Sequence, residues 1–149
     1  MDLSADAVLK ASPDAVLAAV LDLGTYEAWS GIVHGASVAD SDPSDAGPAW
    51  RVEIGAQVGP LRRTKALRMV RTHLVDIHAG GAVSFERREL DGRSHNQWIL
   101  TGEVGVAGEG ATLRMRLHYG GALWVPGLDR LLKAEIARSG DRLDTYLAG

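Results

Sequence analysis

The stretch from Ala111 to Tyr119 constrains the fold more than any other part of this chain. Leu113, Met115, Leu117 and Tyr119 alternate there with Thr112, Arg114, Arg116 and His118. Alternation with a period of two marks a strand with one face on a core and the other in water. Gly120 and Gly121 break the pattern, Pro126 follows, and an amphipathic stretch runs to the end of the sequence. Its apolar positions, Leu128, Leu131, Leu132, Ile136, Leu143, Tyr146 and Leu147, recur at helical spacing. A half-wet strand that delivers a long closing helix predicts a curved antiparallel sheet gripping that helix, with room for a cavity between them. The helix is expected from Pro126 to about Leu147, roughly 33 Å at the usual rise per residue. Ser139 and Gly140 leave a thin spot in its stripe, which over a cavity would be the roof.

The rest of the chain supplies the other strands. Leu3, Ala5, Ala7, Leu9 and Ala11 alternate with Asp2, Ser4, Asp6 and Lys10, which predicts a first strand. Ser12 and Pro13 then start a helix, a capping hydroxyl followed by a residue whose missing N–H costs nothing in the first turn. That helix should run to about Leu21, with Gly24 ending it, and Leu23, Tyr26 and Trp29 mark a second, short one. Ile32–Val38 reads as a strand and the Asp-, Ser-, Gly- and Pro-rich segment 39–48 as a loop. A strand from Trp50 to Val58 turns at Gly59-Pro60 into a long one, Leu61 to about Leu74, whose muddled alternation predicts a bulge. Gly80-Gly81 is a break. Val83, Phe85 and Arg87 mark the next strand, Asp91-Gly92 is a hairpin signal, and Trp98, Leu100, Val104 and Val106 share a face of the strand after it. The predicted class is α+β: a seven-stranded antiparallel sheet around a long C-terminal helix, with two short helices after strand 1.

Composition excludes several functions. The 149 residues fit one domain spanning 1–149, and 46% apolar content suits a packed core rather than disorder. The net charge of -3 comes without a basic field, so no nucleic-acid partner is expected. There are no cysteines, hence no disulfide, thiolate metal site or cysteine nucleophile. The five histidines show no metal-ligand spacing, so neither a metal nor another cofactor is expected. The start, Met1-Asp2-Leu3-Ser4, lacks the basic and apolar regions of a signal peptide, and the apolar run Ala15–Leu21 is far shorter than the ~20 residues of a membrane helix. The expectation is a cytoplasmic protein without stable membrane insertion, a monomer or a homodimer.

The segment Ala11-Ser12-Pro13-Asp14-Ala15-Val16, followed by Leu21-Asp22-Leu23-Gly24-Thr25-Tyr26-Glu27-Ala28-Trp29, resembles the link between first strand and helix pair in the START-like (SRPBCC) helix-grip superfamily. Within it the resemblance is to the bacterial polyketide cyclase/dehydrase and lipid-transport group, with Pro13, Asp22, Tyr26 and Trp29 as the matching positions. The resemblance implies a deep, largely apolar cavity between sheet and C-terminal helix, and a small hydrophobic molecule as partner. Members bind lipids, sterols, polyketides or plant hormones; some cyclise polyketides, some are carriers, and one branch is described as toxins.

Candidate residues follow from strand parity and from that cavity. Trp50, Phe85, Trp98 and Tyr119 lie on the apolar faces of their strands, with Tyr26 and Trp29 nearby; each is either core filling or cavity wall. Leu67, Met69, Leu100 and Met115 join them, and the closing helix contributes Leu132, Ile136 and Ser139. Arg71 shares parity with Leu67 and Met69, and Arg87 with Val83 and Phe85; an inward arginine needs a partner, and Glu135 on the helix is a candidate. His34 alternates with Ile32, Ala36 and Val38 and could face in, while His118 belongs to the polar face. Three readings result. The first is a binding protein for a lipid- or polyketide-like ligand. The second is a cyclase or dehydratase in which Arg71 or Arg87 polarises a carbonyl and Tyr119 or His34 moves protons. The third is an interaction protein of toxin type with a vestigial cavity.

Overall fold

The computed structural model of the chain describes residues 1–120 and 127–149, apart from the side chains of Ala56, Gln57, Val58, Leu61, Arg63 and Leu128. The order is β1 (Asp2–Leu9), α1 (Pro13–Val20), a 3-10 turn (Leu23–Thr25), α2 (Tyr26–Trp29), β2 (Val33–Val38), β3 (Ala49–Val58), β4 (Leu61–Ile77), β5 (Gly80–Arg87), β6 (Trp98–Ala107), β7 (Gly110–Tyr119) and α3 (Leu128–Ala148). The strands form one antiparallel sheet in the order β1-β7-β6-β5-β4-β3-β2. Its inward side chains and the apolar stripe of α3 build one core. No helix among the described residues is long and apolar enough to cross a membrane.

Local chemistry sets the element ends. Ser12 Oγ accepts the Ala15 N–H at 3.2 Å, with Pro13 in the first turn of α1. The second short helix is a 3-10 turn followed by a single α turn, and Asp22 Oδ1 accepts the Gly24 N–H at 2.8 Å. Cross-strand polar contacts order the wet face of β7: Arg114 pairs with Asp6, Arg116 with Glu103, and His118 Nδ1 hydrogen-bonds Asp2 Oδ1 at 2.7 Å.

Several expectations shift. β4 continues past Leu74 to Ile77, with its bulge between Arg71 and His73. The turn after it falls at Ala79, which adopts φ 65, and Gly80 and Gly81 belong to β5. Asp91-Gly92 lies within the longer connection 88–97 rather than forming a two-residue hairpin. Tyr146 is exposed instead of completing the apolar stripe of α3. Pro126, the expected start of that helix, lies outside the described residues.

The thin spot at Ser139-Gly140 turns out to be a close approach of helix to sheet. A Cβ on Gly140 would lie 2.4 Å from the Ala7 Cβ, so β1 and α3 fit only because this position has no side chain. One turn on, Asp144 accepts the backbone N–H groups of Lys10 and Ala11 at 2.8 and 3.1 Å. The C-terminal half of α3 is therefore clamped to the end of β1.

Candidate functional site

Two groups of aromatic side chains divide the interior. Tyr26 packs on Trp29 with ring centroids 4.3 Å apart, and meets Phe85 edge-on at 6.2 Å. Phe85 in turn meets Trp50 edge-on at 5.7 Å. The polar tips of Tyr26 and Trp29 are spent on local structure. Tyr26 Oη donates to Val20 O at 2.6 Å and Trp29 Nε1 donates to Thr25 Oγ1 at 3.1 Å. Burial, with Asp22 nearby, pushes the Tyr26 phenol far above its ordinary range, so it remains a hydrogen-bond donor. All four rings are buried and tie α1 and α2 to the middle of the sheet.

The second group is Trp98 and Tyr119, cross-strand partners on β6 and β7, stacked with centroids 5.4 Å apart. Tyr119 Oη donates to Met1 Sδ at 3.1 Å, and burial, then Asp129 in the first turn of α3, raise its phenol above the usual value. This group therefore marks the end of the interior where α3 begins, opposite the Gly140 clamp. Among the described residues, the close backbone approaches of α3 are to β1 and, less, to β3, α1 and α2. The central strands face the helix across an interval occupied by side chains. Leu67, Met69, Met115, Leu132 and Ile136 are buried there, and Leu100 is partly exposed.

The charged candidates do not converge. Arg71 Nη1 donates to Leu21 O at 3.1 Å and so caps the C-terminus of α1. Arg87 Nε donates to Glu89 Oε1 at 3.0 Å, and the same oxygen accepts the Arg68 N–H. His34 is exposed: the register jumps from Val33↔Ile54 to Gly35↔Glu53, the irregularity takes His34 out of the inward row, and its ring lies against Gly55. Glu135 pairs with Arg138 and Arg142 of its own helix, over Gly31, and with neither Arg71 nor Arg87. Ser139 Oγ donates back to Glu135 O at 2.8 Å, as serine often does inside a helix. An acid–base set of Arg71, Arg87, Tyr119 and His34 is therefore not assembled. Among the described residues, no three His, Asp or Glu side chains converge as a metal site.

Two residues matter that the sequence reading passed over. Arg68 faces outward yet is buried beneath loop 39–48. Its guanidinium holds Asp45 through both nitrogens, at 3.0 and 2.7 Å, and donates to Asp40 O and Arg88 O. Lys65 shares the inward parity of Leu67 and Met69, and its Nζ lies 5.8 Å from the centroid of Trp98. The parity that singled out Arg71 extends to Lys65, so the signal was present. Open depressions also occur outside the grip, one of about 730 Å³ along Arg51, Ala66, Glu89 and His95. Much of its lining is already paired charge.

The profile of the polyketide cyclase / dehydrase and lipid transport family matches residues 1–148. No curated protein matches the sequence. Among solved structures, a protein of Thermus thermophilus superposes with TM-score 0.70 at 15% identity, covering 99% of this chain and 97% of that one. A START superfamily protein from Mycobacterium smegmatis gives TM-score 0.70 at 14% identity, again over 99% and 97% of the two chains. A STAR-related lipid transfer protein fragment from Xanthomonas axonopodis gives TM-score 0.65 at 13% identity, over 97% of this chain and 84% of that one. At such identities the likeness concerns the fold.

Proposed function

The chain belongs to the polyketide cyclase / dehydrase and lipid transport family, and from that premise we propose that it binds one small apolar ligand, lipid- or polyketide-like, between α3 and the central strands. The observation that carries this reading is the asymmetry of the grip. The C-terminal half of α3 is clamped to β1 at Gly140 and Asp144, while the central strands face the helix across side chains alone. Side chains yield to a ligand more cheaply than backbone ladders do, and apolar walls supply the affinity. The way in is the Trp98–Tyr119 end, where Leu100 and Lys65 are partly exposed. Binding is favoured over catalysis because Arg71, Arg87, His34 and Tyr119 each serve a separate contact.

An environment-sensitive apolar dye titrated into the native protein should saturate at about one site per chain and quench tryptophan emission, since Trp98 stands at the proposed entrance. Dye uptake confined to denaturant concentrations near the unfolding midpoint would count against a native site.

A further inference from the structure

The sheet has two edge strands, β1 and β2, and they are protected differently. β1 has α3 packed against it, with Asp144 taking the N–H groups just past its end. β2 begins buried at Val33 and ends exposed at Ser37 and Val38, and among the described residues no strand pairs with its outer side. The Ala39 N–H donates to Ala49 O. By the alternation of an antiparallel ladder, Ala36 and Val38 then turn their N–H and C=O groups away from β3, to the free edge. Such an edge is a template for another strand. Val38 is 83% exposed there, the highest value for a large apolar side chain among the described residues. Behind the edge, on the wet face of β3, stand Arg51 and Glu53, both exposed. Neither side chain makes a hydrogen bond or ion pair among the described residues. Arg51 lies opposite Ser37 and Glu53 opposite Gly35, so only small residues separate these charges from the edge.

We propose that β2 is a dimer interface, pairing antiparallel with β2 of a second copy about a two-fold axis at Ala36. An axis that keeps both wet faces on one side sets residues of the same parity opposite each other. Of the registers centred within Gly35–Ser37, charge selects one. Centred on Gly35, the row across the junction brings Glu53 toward the second Glu53. Centred on Ser37, it brings Arg51 toward the second Arg51. Centred on Ala36, Ser37 faces Gly35 of the second copy, and each Arg51 shares a row with the other copy's Glu53, twice by symmetry. Three strand spacings, about 14 Å, separate those residues, within the combined reach of the two side chains because Ser37 and Gly35 leave the way open. The antiparallel arrangement also carries Asp40, exposed past the end of each β2, toward the start of the other, where Arg142 stands over Gly31. A strand of 6 residues makes a small interface, so the dimer forms at high protein concentration. Nothing in this pairing requires a ligand in the interior.

The test is sedimentation velocity at low salt over about 5 to 500 μM protein, a range that captures a weak interface. The average mass should rise from that of the 15.8 kDa chain toward twice that value. Ala36→Pro removes an N–H that points to the free edge and spares the ladder to β3, so it should abolish the rise in a chain that stays folded. Arg51→Glu and Glu53→Arg each create rows of like charge and should weaken the dimer at least about tenfold, and the double exchange should return it to within about threefold of the native protein. Thermal melts of each variant establish that it is folded; the two charge reversals sit at exposed positions and test the pairing even if the proline variant does not fold. A native protein that stays monomeric over the whole range, or a dimer that neither Ala36→Pro nor the reversals weaken, would overturn the interface. A double exchange no tighter than the single reversals would overturn the Ala36-centred register.

Discussion

Gly140→Leu should lower stability by about 2 kcal/mol or more. The missing side chain at Gly140 is what lets α3 meet β1, since even a Cβ would sit 2.4 Å from that of Ala7. Overpacking a filled contact costs roughly 1–3 kcal/mol. Replacing glycine by a good helix former returns up to about 1 kcal/mol. The clash wins because the obstacle is a short side chain fixed to a strand, which cannot swing aside. Leucine adds volume beyond the Cβ and should lie at the upper end of the range. In a thermal melt the midpoint should fall by about 4–8 °C. Gly140→Ala should destabilise in the same direction by less. Combining it with Ala7→Gly should recover part of the loss, because the two positions share one contact. An unchanged midpoint for Gly140→Leu would mean that the helix stands off from β1 after all, as the cavity-roof reading of Ser139-Gly140 supposed.

The second large effect is expected at Arg68. Its guanidinium and the Asp45 carboxylate form a two-pronged pair with side chains only 4% and 5% exposed. Breaking a buried pair by removing one partner costs about 3–5 kcal/mol, because the other charge is left without an answer. Arg68→Met should show a loss on that scale in a denaturant melt at neutral pH. The pair also gives acid sensitivity a definite sign. The Arg68 hydrogen bonds, then the Asp42 N–H, hold the Asp45 carboxyl below its ordinary value. The unfolded chain therefore takes up that proton at a higher pH than the folded one. The contribution is intact above the unfolded value near pH ~4 and is lost as pH falls through the lower folded value. Wild-type stability should drop across that acid window, and Arg68→Met should flatten the drop. A loss well under 1 kcal/mol would show that the pair behaves like an exposed one.

Local patterning made the scaffold legible. The alternation of β7, the Ser12-Pro13 helix start and the stripe of Leu132, Ile136 and Leu143 depend on neighbours in sequence, and each element formed where its pattern lies. The departures come from contacts between distant residues. Arg68 has outward parity and should have been wet; a loop 23 residues upstream covers it through Asp45. His34 has inward parity, but a register irregularity against β3 turns it out. Gly140 looked like missing packing, and only the arrival of Ala7 from β1 makes it tight packing. Glu135 was within reach of several cations; it pairs with Arg138 and Arg142 of its own helix, one and two turns on, at a place where Gly31 leaves room for the cluster. Lys65 differs, for its parity was readable, and what could not be read was the indole that β6 places beneath it.

The family, the one-ended clamp of α3 and the apolar interval beside it all bear on a single claim, that this interior takes up one small apolar molecule. Native mass spectrometry tests it most directly, on protein purified without detergent and again after incubation with dodecanoate. The account predicts the 15.8 kDa chain accompanied by a species a few hundred daltons heavier, one ligand per chain, which disappears on denaturation. Bare chain alone under both conditions would contradict it.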